Sequence, residues 1–179
     1  MLPPVPPHPV PLCVTALVLV AASTDITSRR IPNRLVAVGL AGALIAQCVL
    51  HGVASGAFEW FAGAATGFAL LLPLYLLRGM AAGDVKLMLA IGAWVGPWMV
   101  ACIVLATCVA GGVGAIAVTI WRGSMRRMLG NVRHLLRRAL AGQSTSRAAI
   151  SEQMTSVGSL PYGVAIAAGT LAMLFASAI

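Results

Sequence analysis

Charged residues, and acidic ones above all, are scarce in this sequence. Only 9% of its 179 residues are charged, and Asp and Glu together number four, whereas about a quarter of the residues of a typical soluble domain carry charge. This scarcity excludes a water-soluble globular domain. The four cysteines lie in apolar stretches without a CxxC pair, so they predict neither a zinc site nor a disulfide framework. We expect no metal and no cofactor.

Long apolar runs are what the sequence has instead. Hydrophobic residues make up 60% of the chain, and runs near the roughly 20 residues that cross a hydrocarbon core recur along it. The pattern predicts an all-α, polytopic membrane protein forming one domain, residues 1–179. The six predicted transmembrane helices are about Val10–Thr24, Arg34–Leu50, Gly56–Leu77, Val85–Gly96, Trp98–Trp121 and Tyr162–Ala178.

The fourth predicted span is unusually short. Its 12 residues rise only about 18 Å as a helix, which is less than the hydrocarbon core. Either this helix is tilted and deep-seated, or its boundary lies elsewhere. A short helix would place Gly83 and Asp84 below the membrane surface, where irregular backbone is tolerated only inside protein or beside a cavity.

All 12 Lys and Arg residues fall on one side of these six spans. They occupy the connections after spans one, three and five, and by the positive-inside rule that side is the cytoplasm. Both termini are then predicted on the outer side of a bacterial inner membrane. Because topology accounts for the net charge of +8, nucleic acid is not an expected partner.

The connection between spans five and six, residues 122–160, is the one long polar stretch. Its first half predicts an amphipathic helix lying on the cytoplasmic surface and binding anionic lipid, as an anchor without chemistry. Residues 143–159 are rich in Ser and Thr. The apolar face of the helix consists of Met125, Met128, Leu129, Val132, Leu135, Leu136 and Ala139, and the basic face of Arg126, Arg127, Arg133, Arg137 and Arg138.

The two aspartates are the candidate catalytic residues. Asp25 ends predicted span one and Asp84 opens span four, both on the cytoplasmic side, and ionisable residues at membrane depth are functional candidates. Two facing carboxyl groups can share a proton, so that one activates a water while the other polarises a peptide carbonyl. This pair is therefore suited to aspartic proteolysis at the cytoplasmic face.

Structural roles explain the same two positions equally well. Asp84 could cap the first turn of its helix or pair with Lys86, and Asp25 could close a turn or pair with Arg29 or Arg30. Position and spacing do not decide between these roles and catalysis.

The surrounding sequences resemble a known family. Asp25-Ile-Thr-Ser-Arg-Arg-Ile-Pro-Asn33, Ala82-Gly-Asp-Val-Lys-Leu-Met88 and Pro161-Tyr-Gly-Val-Ala-Ile166 are similar to segments of the prepilin peptidases, membrane aspartic proteases with a GxGD motif. The chain looks most like the short, peptidase-only form associated with Tad (Flp-type) pili. The resemblance extends from Asp25 to the last span.

The resemblance implies an activity. Asp25 and Asp84 match the two catalytic aspartates, which cleave the leader of prepilin-like (Flp-type) precursors and so support pilus assembly and secretion. Gly83 matches the motif glycine that allows close backbone approach, whereas Ala81 replaces the first motif glycine and implies an altered approach. The loop between Asp25 and Asn33 is too short for the cysteine-containing insert of bifunctional members, so methyltransferase activity is not expected.

The other matching residues are expected to support the site. Ile31, Pro32 and Asn33 end the first loop, where Pro excludes helix, Asn can cap span two, and the segment fixes Asp25 or contacts substrate. Lys86 could hold Asp84 ionised or meet a lipid phosphate. Pro161, Tyr162 and Gly163 open span six, with gating or substrate contact as the alternative role. Five glycines are predicted to let helices pack closely: Gly63, Gly67, Gly111, Gly112 and Gly114.

Two other classes of protein fit part of the pattern. A small proton-coupled transporter would also place carboxylates at span ends, but polar mid-span residues and an internal repeat are expected of it. The spans are almost entirely apolar and no repeat is evident. A non-catalytic pilus-assembly anchor would need neither aspartate.

Overall fold

The computed structural model of the chain describes residues 3, 6–28, 30–76, 80–121 and 162–178, and is all-helical over them. The predicted all-α fold is confirmed, and each helix begins and ends within a few residues of its predicted span. The six helices are α1 (Val10–Ser28), α2 (Asn33–His51), α3 (Val53–Leu76), α4 (Ala82–Val95), α5 (Pro97–Trp121) and α6 (Tyr162–Ala178).

Four of these helices are long and apolar enough to cross a membrane, namely α1, α2, α3 and the Pro97–Ala117 part of α5. The chain is therefore a membrane protein by helix length and composition. Helix α6 is apolar but shorter, with 17 residues. The six-span topology remains a prediction, and the basic amphipathic helix of residues 122–160 lies outside the described residues.

The short helix α4 is the centre of the described bundle. It packs against α1, α2, α3 and α6, and Leu87, Met88 and Ile91 are fully buried. Its 14 residues rise only about 21 Å. The helix begins three residues before the predicted start, so the predicted boundary was misplaced, and the depth of this helix in the membrane stays a prediction.

Glycines bring α3 and α4 into backbone contact. A Cβ atom added at Gly63 would overlap the carbonyl oxygen of Gly92, and one added at Gly92 would overlap that of Gly63. One turn along, a Cβ atom at Gly67 would lie 2.5 Å from the carbonyl oxygen of Met88. The predicted close packing is thus confirmed for Gly63 and Gly67, and it fixes α4 against α3.

The described residues give no support to the same prediction for two glycines of α5. Among described atoms, nothing lies within 4 Å of a Cβ atom built at Gly112 or Gly114. A Cβ atom built at Gly111 would be in ordinary contact, 3.4 Å from the ring of Tyr162. A glycine in an apolar run therefore indicates close helix packing only where a second helix crosses at that residue. The run alone does not show where such a crossing lies.

The chain divides into two compact units. The first consists of Met1–Gly111 with Pro161–Ile179, and the second of Gly112–Leu160. All the candidate site residues belong to the first unit. Of the second, the structure describes only the end of α5, residues 112–121.

Candidate active site

Asp25 lies inside helix α1, three residues before its end. Its side chain is 8% exposed, and its Oδ2 atom accepts a hydrogen bond of 2.8 Å from the backbone N–H of Gly163 in α6. The alternative in which Asp25 closes a turn is wrong, because α1 continues past it to Ser28. Arg30 makes no ion pair with Asp25, and Arg29 lies outside the described residues.

Asp84 occupies the first turn of α4 and is 4% exposed. Its Oδ2 atom accepts a hydrogen bond of 3.2 Å from the backbone N–H of Ala81, while its own N–H donates to the carbonyl oxygen of Ala81 at 3.1 Å. This is the carboxylate half of a capping box, since the alanine side chain has no acceptor. The capping role considered for Asp84 is thus present and uses one carboxylate oxygen.

The two aspartates lie on neighbouring helices. Helices α1 and α4 contact each other, and both side chains are buried. In each group a backbone N–H holds Oδ2, and no hydrogen bond to either Oδ1 is present within the described part of the chain. Two buried carboxyl groups with one fixed oxygen each can present their second oxygens to a water or a peptide.

The segment Ile31-Pro32-Asn33 contacts the start of α4. The side chain of Ile31 lies beside Gly83, with 3.4 Å between the Cβ of Ile31 and a Cβ built on Gly83. Pro32 is extended and precedes α2, where its carbonyl oxygen accepts the N–H of Leu35 at 3.0 Å. This contact is with the helix start that carries Asp84, and the role of the segment in fixing Asp25 or contacting substrate stays a prediction.

Lys86 and Asn33 bind each other. The Nζ atom of Lys86 donates to Oδ1 of Asn33 at 3.1 Å, on the exposed side of the helix starts. Asn33 is the first residue of α2 and makes no side-chain cap hydrogen bond. The predicted cap by Asn33 is wrong, and this hydrogen bond joins α4 to α2 instead of pairing Lys86 with Asp84.

The GxGD-like segment has ordinary backbone geometry. Ala81 has φ −80° and ψ 153°, an extended conformation that does not require glycine. A Cβ atom at Gly83 would meet its nearest neighbour at 3.4 Å, which is normal contact. Neither the alanine at 81 nor the glycine at 83 is thus dictated by the local fold.

The start of α6 completes the site. Gly163 donates to Asp25, and the ring of Tyr162 packs on Gly111 of α5. Pro161 lies outside the described residues. The expectation that these residues open the last helix near the aspartates agrees with the contacts of Tyr162 and Gly163.

Sequence analysis did not single out the buried polar residue Gln47 of α2. Its Nε2 atom donates to the carbonyl oxygen of Trp94 at 2.9 Å, and its side chain is 4% exposed. It thereby satisfies a carbonyl at the end of α4 opposite Asp84. A single glutamine among apolar residues was the available signal.

Among the described residues, no group of three or more His, Cys, Asp and Glu side chains could hold a metal ion.

Comparison with known proteins gives one match. The sequence model of the type IV leader peptidase family matches residues 12–116, a range that includes both aspartates and ends within α5. No curated protein and no solved structure matches the chain.

Proposed function

Because the chain belongs to the type IV leader peptidase family, whose members are proteases acting on prepilin-like precursors, we propose that it is an aspartic endopeptidase with Asp25 and Asp84 as its catalytic residues. The observation that carries the proposal is the pair of buried carboxyl groups on α1 and α4, each held by a backbone N–H through Oδ2.

The chemistry needs one ionised and one protonated carboxyl group. The ionised group takes a proton from a water whose oxygen attacks the peptide carbonyl carbon, and the protonated group gives its proton to the carbonyl oxygen. The tetrahedral intermediate then loses its C–N bond. The first group passes its proton to the leaving amine, and the second takes back the hydroxyl proton, so both return to their starting states.

The site belongs to the cytoplasmic face in this proposal. Asp25 lies near the end of α1 and Asp84 at the start of α4, beside the connection that carries Arg30 and near Arg34 and Lys86. Basic residues at helix ends mark the cytoplasmic side. We therefore place the protein in the bacterial inner membrane with both termini outside.

The substrate follows from this position. A precursor with a short leader in the cytoplasm and an apolar helix in the bilayer would present its scissile bond at the depth of the two aspartates. We assign the substrate to the Flp-type pilins of Tad systems on the sequence resemblance, and for the same reason expect peptidase activity without methylation.

The test is co-expression of a Flp-type precursor with the protein in bacterial membranes, followed by gel mobility of the precursor. The intact protein should shorten it, and Asp25→Asn should not, because an amide cannot share the proton. Glu59→Gln is the matched control, since it removes a carboxylate of α3 that lies near Gly96, next to the end of α4 opposite Asp84. Cleavage by Asp25→Asn would refute the catalytic role of Asp25, whereas an intact protein that leaves the precursor unshortened would favour a transporter or a non-catalytic anchor.

A further inference from the structure

The N-terminus of α6 holds Asp25 across 138 residues of sequence. The first N–H groups of a helix have no partner within the helix, and that of Gly163 donates to Oδ2 of Asp25 at 2.8 Å inside the protein. Both residues are buried. The last helix thus fixes the orientation of one carboxyl group of the proposed catalytic pair.

This contact has room only for glycine. A Cβ atom on residue 163 would lie 2.8 Å from Oδ2, 2.9 Å from Cβ and 3.1 Å from Cγ of Asp25. Its three nearest neighbours therefore all belong to one side chain. Gly83, next to Asp84, has no such restriction, because a Cβ atom there would be in ordinary contact at 3.4 Å.

Helix α6 cannot withdraw to make room without losing its packing on α5. A Cβ atom on Gly169 would lie 2.6 Å from the backbone nitrogen and from Oγ1 of Thr107, so the two helices are in close contact there. Tyr162, directly before Gly163, rests on Gly111. A larger residue at 163 would thus displace Asp25 or separate α6 from its neighbours.

We propose that Gly163 is a positioning residue for Asp25: its N–H orients the carboxylate, and its missing side chain lets α1 and α6 approach closely enough for that hydrogen bond. The catalytic part of this inference rests on the proposed function. The Gly163–Asp25 contact itself can be tested without any substrate.

The contact is tested by a double-mutant cycle on thermal unfolding of the purified protein in detergent. Gly163→Ala should lower the unfolding temperature, and its effect should largely disappear in an Asp25→Gly background, where the clashing side chain is absent. Gly169→Ala is the control within the same helix, because it clashes with Thr107 and should lower the unfolding temperature equally in both backgrounds.

The catalytic consequence is tested on a purified Flp-type precursor. Gly163→Ala should lower kcat on the order of 100-fold, as misplacement of a catalytic group by about 1 Å does, with KM nearly unchanged. Gly112→Ala, whose added methyl group meets no described atom within 4 Å, should keep the kcat of the unaltered protein.

Each outcome decides a separate point. Equal destabilisation by Gly163→Ala with and without Asp25, or a folded Gly163→Ala protein with kcat within about threefold of the original, would overturn the inference. If the Gly163→Ala protein does not accumulate, the double variant Asp25→Gly/Gly163→Ala should still accumulate to the level of Asp25→Gly alone. A double variant that does not accumulate would also overturn the inference. If the unaltered protein leaves the precursor intact, the proposed function is refuted. The double-mutant cycle on thermal unfolding would still test the Gly163–Asp25 contact.

Discussion

Gly92→Ala tests whether backbone contact between α3 and α4 holds the central helix in place. The added Cβ atom would overlap the carbonyl oxygen of Gly63 and lie 2.8 Å from its carbonyl carbon. Backbone atoms cannot rotate aside as a side chain can, so the two helices must separate. Overpacking of this kind costs about 1–3 kcal/mol.

Helix propensity opposes this loss only in part. Replacing Gly by Ala inside a helix stabilises the folded state by roughly 1 kcal/mol relative to an unfolded coil. Helix that remains in the denatured state reduces this stabilisation. We therefore expect Gly92→Ala to lower the free energy of unfolding by about 1–2 kcal/mol. Because α4 also carries Asp84, leader cleavage should fall with it.

The assay is reversible unfolding in mixed detergent micelles, followed by tryptophan fluorescence, since Trp94 is buried two residues after Gly92. Gly112→Ala makes the same chemical change where no described atom lies within 4 Å, and should leave stability unchanged or raised by up to about 1 kcal/mol. Equal unfolding free energies for the two variants would refute the packing argument.

Three further predictions follow from the proposed topology and chemistry. Reporter fusions after Leu50 and at Ile179 should be active outside, and fusions within residues 143–159 in the cytoplasm; a cytoplasmic C-terminus would refute the six-span topology. Replacing Arg126, Arg127, Arg137 and Arg138 by Gln should weaken vesicle binding by roughly 1 kcal/mol per charge without abolishing cleavage, and complete loss of processing at normal protein level would make this segment a recognition element. Replacing Cys13, Cys48, Cys102 and Cys108 by Ala, or adding a chelator, should leave substantial cleavage, and reversible inhibition by the chelator would contradict aspartic catalysis.

Helix positions were predictable because apolar runs and helix lengths are properties of local sequence. The predicted span Tyr162–Ala178 is the observed α6. Span one was predicted to end at Thr24, yet α1 continues to Ser28. Inside this helix Asp25 is buried and accepts a hydrogen bond from Gly163, and no local pattern indicates a contact between residues so far apart.

The candidate site shows the same limit. Composition and resemblance singled out Asp25 and Asp84, because carboxylates are rare in this chain and costly to bury. Local sequence could not show that Asn33 binds Lys86 instead of capping α2, since both uses satisfy the same amide. The contacts of Ile31 with Gly83 and of Gln47 with Trp94 likewise depend on how the helices cross.

The most direct test of the central claim compares Asp25→Asn, Asp84→Asn and the double variant, each purified and reconstituted in vesicles with a Flp-type precursor. Leader release is measured by mass spectrometry across a range of pH. The account predicts an activity maximum for the unaltered protein, loss of cleavage in each single variant, and little further loss in the double variant, because the two groups act as one unit. Near-normal cleavage by either single variant would contradict it.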